Sequence, residues 1–310
     1  MSKIMIALGG NALGDTPQEQ IMLVKETAKP IVDLVEEGHT VVIVHGNGPQ
    51  IGMINSGFEI SSRIDKKIPE MPFPECAAMS QGYIGYHLQN AIDFELKNRD
   101  LKKSVIAIVT QVIVDENDYA FKHPTKPIGG FYSKQESDKL IIEKGYTMIE
   151  DSGRGYRRVV ASPKPLDIVE KDIINDIVNR GHIVIAAGGG GIPSIKKGNA
   201  LIGVPAVVDK DLASEKLAEI LDCDTLFILT AVEKIAINFG KPDQINLDNI
   251  TIEDALKYIE EGQFAPGSML PKVRAAIDFV QSKNKRTAII TSLESAKKAI
   301  DGQTGTTIHS

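Results

Sequence analysis

IMIALGGNALGDTPQEQ (residues 4–20) and VVIVHGNGPQIG (residues 41–52) decide the fold between them. Ile4 to Leu8 is an unbroken apolar run of strand length that stops at glycines. Thr16 then stands ahead of Pro17 and Glu19, a Thr-x-x-Glu capping box with proline at the first helical position. Ile21, Val24, Ala28, Ile31 and Val35 recur at helical spacing until Gly38. Val41 to Val44 is a second β-branched run, and it too breaks at glycines, from His45 to Gly52. Strand, helix, strand is a βαβ unit, and strands that are apolar throughout belong to a parallel sheet covered on both faces.

Working outward, a long helical pattern lies within Pro74 to Asn98, where Gly82 and Gly85 would let another backbone or a subunit come close. Val105 to Val109 reads as a strand. From about Val112 to Pro165 the composition turns to Pro, Gly, Tyr and charge around a short helical stretch, which marks an inserted subdomain. The α/β rhythm returns with a helix from Asp167 to Asn179, a strand from Ile183 to Ala187, and GGGGIPS from Gly188 to Ser194. Helices at Leu212 to Leu221, Thr251 to Glu261 and Met269 to Gln281 then alternate with strands at Thr225 to Thr230 and Thr287 to Thr291, before a last helix and strand.

The 310 residues, 42% hydrophobic and 25% charged, suit an ordinary globular chain rather than a disordered or fibrous one. A net charge of −6 and a pI near 5.6 argue against nucleic acid, which needs a broad basic surface. No apolar run reaches the roughly 18 residues of a membrane helix, and no secretory leader pattern opens the sequence, so a cytoplasmic location is expected. Cys76 and Cys223 have neither C-x-x-C spacing nor nearby histidines and read as core residues.

GGNALG (Gly9 to Gly14), GNGPQIG (Gly46 to Gly52) and GGGG (Gly188 to Gly191) all follow predicted parallel strands, at the edge where such sheets bind ligands. Glycine lets backbone approach phosphate oxygens, and helix-start N–H groups supply donors. Neither common nucleotide signature fits. Gly9 to Thr16 has the frame of a P-loop, but Asp15 stands where its lysine belongs. Gly46 to Gly52 is one residue too long for the dinucleotide fingerprint, and no acidic residue ends the next strand. Positive charge must therefore come from elsewhere. Lys210 in VVDKDLAS, Lys272 in APGSMLPKV and Lys126 in HPTKPIGG are candidates, each fixed by neighbouring acids or prolines. Asn11 and Asn47 sit inside glycine turns, where they tolerate strained backbone or donate to an oxyanion. His45 reads as a local hydrogen-bonder, neither it nor His123 is given a catalytic role, and Tyr156, Arg157 and Arg158 read as an exposed strand.

IALGGNALG, VVIVHGNGPQIG, PTKPIGGFYS, GYRRVVASPKPLDIVE, IVIAAGGGGIPS, VVDKDLASEKLAEIL, LTAVEKIAINFG and GQFAPGSMLPKV resemble, in order and over essentially the whole chain, the motifs of the carbamate kinases within the amino-acid kinase family. The resemblance implies a three-layer αβα sandwich with an open, mainly parallel sheet and a protruding inserted subdomain. It implies one kinase domain over 1–310, with an N-lobe at about 1–222 for carbamoyl phosphate, the insert at about 112–165, and a C-lobe at about 223–310 for nucleotide. Gly9, Gly10, Asn11, Gly46, Asn47 and Gly48 would line the acyl phosphate site, with Lys126 as a clamp on its phosphate. Lys210 and Lys272 would bridge the transferring group, oriented by Asp211. Ala231, Val232, Tyr258, Pro266, Gly267, Ser268 and Met269 fall where adenine nucleotide lies. Mg²⁺ with ATP or ADP is implied, its protein ligands unnamed, as are a homodimer and ATP formation in arginine or related catabolism. Gly130, Ala161 and Ser194 depart from the motifs. A sibling kinase of the same fold and a non-catalytic nucleotide sensor are the alternatives.

Overall fold

The computed structural model describes residues 1–310 except Asn11, Ala12, Asp15 and Ser152. β1 (Lys3–Leu8) leads into α1 (Pro17–Glu36), which starts as its sequence requires. The Thr16 hydroxyl accepts from the Glu19 N–H at 3.2 Å, and the Glu19 carboxylate accepts from the Thr16 N–H at 3.1 Å. After β2 (Thr40–His45) comes a helix that the glycine reading does not foresee: α2 (Gly48–Ile64) begins inside the second glycine segment. Gly48, Gly52 and Gly57 depress its helix propensity, yet tertiary packing holds it.

α3 (Phe73–Asn98) precedes β3 (Val105–Ala107), shorter than expected, and β4 (Gln111–Ile113). Gly85 admits β3, since a Cβ there would lie 2.8 Å from the Ala107 Cβ, whereas Gly82 faces open space. The insert consists of β5 (Lys126–Tyr132), α4 (Lys134–Lys144), β6 (Thr147–Glu150) and β7 (Tyr156–Val160). Its β7 is a strand but not an exposed one, because Arg158 lies 3.5 Å from the Tyr146 ring centroid and 4.8 Å from that of Phe73. A Cβ at Gly52 of α2 would come within 2.6 Å of the Gly129 Cα, so glycine on both sides lets the insert sit on α2.

The expected helix from Asp167 is divided. β8 (Asp167–Ile168) pairs with β4, and α5 (Lys171–Asn179) follows. β9 (Ile183–Ile185) stops two residues early, because Ala187 turns into the left-handed region at φ 47°. After a 3₁₀ turn at Gly188–Gly190 come β10 (Ile192–Lys197) and β11 (Ala200–Gly203), an unforeseen hairpin. α6 (Lys210–Ile220) begins two residues before the expected start, which puts Lys210 and Asp211 in its first turn. β12 (Thr225–Thr230), β13 (Ala236–Ile237), β14 (Ile245–Asn246), β15 (Asn249–Thr251), α7 (Ile252–Glu260), α8 (Met269–Ser282), β16 (Thr287–Ser292), α9 (Ala296–Ile300) and β17 (Thr306–His309) complete the chain.

The main sheet has the order β15-β17-β16-β12-β1-β2-β9-β3, parallel from β16 to β3 and antiparallel only between β16 and β17. Side chains alternate faces along each strand. Ile4, Ile6, Leu8, Val41 and Ile43 therefore pack against α1 and α3, while Met5, Ala7, Val42 and Val44 pack against α6 and α8. Each of these fully buried Ile, Leu, Val and Met side chains contributes about 1.5–3 kcal/mol, and Ala7 less. The three-layer αβα arrangement follows. Cys76 and Cys223 are free and buried, as core residues. Among the described residues no helix is long and apolar enough to cross a membrane.

Candidate active site

β1 and β2 deliver their glycine ends to the same edge of the sheet. A Cβ on Gly9 would sit 2.9 Å from the Leu229 carbonyl of β12, so only glycine passes there. His45 ends β2 buried, and its Nδ1 lies 2.8 Å from the Gly46 carbonyl. Burial lowers its pKa to about 4, with Lys210 adding to the effect. At neutral pH the imidazole is uncharged, and a carbonyl acceptor places its one proton on Nδ1. His45 is thus the local hydrogen-bonder its position suggested.

The third glycine turn is packed tightly against its neighbours. Cβ atoms at Gly188, Gly189, Gly190 and Gly191 would lie 2.2 Å from His45 Nε2, 2.0 Å from Asn47 Nδ2, 2.1 Å from the Val208 carbonyl and 2.3 Å from Val112 Cγ2. The N–H groups of Gly190 and Gly191 are spent on Ala187 and Gly188 carbonyls. This turn is a packing joint that holds His45 and Asn47 in place, and Gly189 alone of the four lines a cavity at the site. Asn47 in turn donates to the Ser80 hydroxyl at 2.8 Å.

The charged centre is built on the first turn of α6. Asp209 caps the helix by accepting from the Asp211 N–H at 2.9 Å. Asp211 is 4% exposed at its side chain and takes one lysine on each oxygen, Lys210 at 2.6 Å and Lys272 from α8 at 2.7 Å. Burial alone would raise its carboxyl, but the two ammonium groups hold it well below the usual carboxylate range. Burial lowers the Lys210 pKa against the pull of Asp211. Lys126 reaches from β5 to pair with Asp209, a contact between residues 83 apart in sequence. Three lysines against two aspartates leave the group one positive charge in excess, local to an acidic chain.

Three cavities adjoin this centre. The first, about 250 Å³, is lined by Gly10, Gly46, Asn47, Gly48, Lys126, Gly189 and Lys210 among others. The second, about 440 Å³, has Gly9, Gly10, Thr230, Ala231, Lys210 and Lys272 in its wall. The third, also about 440 Å³, takes in Thr230, Val232, Lys234, Phe239, Phe264, Ser268, Met269 and Lys272. Lys210 borders the first two and Lys272 the last two. Of the expected nucleotide residues, Tyr258 is not in these walls but packs edge-on behind Phe264, ring centroids 6.5 Å apart. Pro266 and Gly267 are exposed just ahead of α8 and line none of these cavities. Asn11 lies outside the described residues. Asp209, Lys234, Phe239 and Phe264 are unforeseen; Asp209 was visible only as the first acid of Asp-Lys-Asp, and Phe239 stands 69% exposed.

A model of the amino acid kinase family matches residues 2–292. Carbamate kinase of Clostridium perfringens (strain 13 / Type A) is 58% identical over 311 residues, covering 99% of this chain and 99% of that protein. A carbamate kinase-like protein of Escherichia coli (strain K12) is 56% identical, with 99% and 98% covered. The solved structure of carbamate kinase from Giardia lamblia bound to AMP-PNP has a TM-score of 0.92 at 41% identity, covering 99% of this chain and 98% of that one. The chain belongs to the amino acid kinase family and, within it, groups with the carbamate kinases.

Proposed function

We propose that this chain is a carbamate kinase, moving a phosphoryl group between carbamoyl phosphate and ADP, and that it runs toward ATP in arginine or related catabolism. One arrangement carries the proposal: two lysines on a single buried aspartate, standing between a small glycine-lined cavity and two larger ones. A β-phosphate oxygen of ADP attacks the phosphorus, the bond from phosphorus to the acyl oxygen breaks, and carbamate leaves with the electron pair. No proton is transferred, so no general base is needed, and the neutral, internally bonded His45 is consistent with that.

A loose phosphoryl transition state is stabilised by positioning and positive charge. Lys210 and Lys272 supply the charge and Asp211 sets their spacing. Lys126 would exchange Asp209 for the phosphate of carbamoyl phosphate, while Asn47, Gly10, Gly46 and Gly48 would shape the acyl end and Gly9 would stand beside the transferring group, in the wall of the second cavity. Val232, Ser268 and Met269 would face the nucleotide, with Ala231 nearer the phosphates.

The donor set suits Mg²⁺ carried by the substrate. Among the described residues no three His, Cys, Asp or Glu side chains gather as a metal cage, and both Asp211 oxygens are engaged by lysine. Phosphate oxygens and water would hold the ion, and it would neutralise phosphate charge. We read the protein as a cytoplasmic homodimer. Tyr86 and Phe94 of α3, 62% and 61% exposed, and Ile106 of the sheet-edge strand β3, 41% exposed, support self-association.

The test is ATP formation from ADP and carbamoyl phosphate in a coupled assay, with and without Mg²⁺, beside acetyl phosphate. Mg²⁺-dependent ATP from carbamoyl phosphate is expected. Measurable ADP binding with no turnover would sink the proposal in favour of a nucleotide sensor.

A further inference from the structure

A groove of about 350 Å³ runs between α6 and α8 and shares no lining residue with the three cavities around Asp211. Glu215 of α6 lines it at only 6% exposure. Among the described residues its carboxylate has no hydrogen bond and no ion pair. Most of the residue is buried while its carboxylate oxygens open onto the groove, so water or a ligand there is the one available partner. Burial pushes its pKa up to about 7.

The surrounding charges do not supply the partner. On α6, Lys216 is taken by Glu219. After α8, Arg286 is bound to Asp222 and to the Ser282 hydroxyl. Asp278 of α8 adds a second negative charge across the groove, and Lys164 stands exposed at its rim. Leu212 and Pro165 provide apolar surface.

We infer that this groove binds a small organic cation, an ammonium or guanidinium on a short aliphatic stem, with Glu215 and Asp278 accepting its N–H groups and Leu212 and Pro165 under the stem. A metal ion fits poorly, because no three potential ligands gather there among the described residues. One organic head carries several donors and reaches acceptors on both walls. The bound cation favours the charged form of Glu215, so binding near neutral pH expels a proton. It also ties α6 to α8, the two helices whose first turns carry Lys210 and Lys272.

Titration calorimetry of the full chain with n-butylguanidinium and n-butylammonium tests this at neutral pH, in two buffers of different ionisation enthalpy and equal ionic strength. Saturable binding with fractional proton release is expected, weakened roughly tenfold or more in Glu215→Gln and several-fold in Asp278→Asn, whose exposed side chain leaves folding untouched. Tetramethylammonium, which has no N–H, should bind far more weakly. Absence of saturable binding, unchanged affinity in both variants, or equal affinity for tetramethylammonium would each overturn the inference.

Discussion

Asp211 takes Lys210 on one oxygen and Lys272 on the other, so an amide there leaves two ammonium groups side by side with no counter-charge. Asp211→Asn should lower kcat by about 100-fold or more, the scale of losing one preorganised electrostatic group, with a much smaller change in either KM. Steady-state kinetics beside a thermal melt separate this from unfolding. Lys126 plays a different part. It is 36% exposed at its side chain, paired to Asp209 and borders only the smallest of the three cavities. Lys126→Ala should raise KM for carbamoyl phosphate by roughly tenfold while leaving KM for ADP alone, and an unchanged KM for the acyl phosphate would remove the clamp from the mechanism. Glu215 acts on stability. Its carboxyl rises from an ordinary 4.5 to about 7 on folding, so it binds its proton more tightly folded than unfolded. Its contribution is intact below the unfolded value and is lost as pH climbs through the folded one. The parent should lose on the order of 2 to 3 kcal/mol between about pH 5 and 8 from this group, and Glu215→Gln should not. Urea titrations at both pH values measure the difference.

Elements were legible in proportion to how local their signals are. α1 announces itself because Thr16, Pro17 and Glu19 lie within four residues and the capping box forms as spaced. α2 was hidden because three glycines in its first ten residues look like a turn, and what stabilises it is packing, including the glycine-to-glycine contact with the insert. The charged centre was half legible. Lys210 and Asp211 are neighbours, but the pairing of Lys126 with Asp209 spans 83 residues and no periodicity announces it. The four glycines after β9 were visible as a turn, yet their purpose lies in what they touch. Gly189 has φ +67°, and a Cβ there would meet Asn47 at 2.0 Å. Gly189→Ala should therefore cost about 2 to 5 kcal/mol, from left-handed strain and overpacking together. Gly130, which departs from the family motif, has an ordinary φ and open space around it. Gly130→Ala should stay within about 0.5 kcal/mol of the parent, and paired denaturation curves check both.

At the scale of the molecule, the longer part of the chain before residue 223 and the shorter part after it share one sheet, because β1 pairs with β12 along Ile4–Ala7 and Thr225–Ile228. The glycine ends of β1 and β2, the insert, α6 and α8 reach a single edge only when that sheet is whole, so the site appears with the fold and not before it. Within it, Lys210 is common to the first and second cavities and Lys272 to the second and third. That sharing has a kinetic meaning. On the proposed mechanism each substrate would have its own door, and the phosphoryl group would cross a threshold of fixed ammonium groups without resting on the protein. Double-reciprocal rate plots should intersect, and labelled ADP should not exchange into ATP unless carbamate is also present. A single occupied chamber, on this architecture, does no chemistry at all.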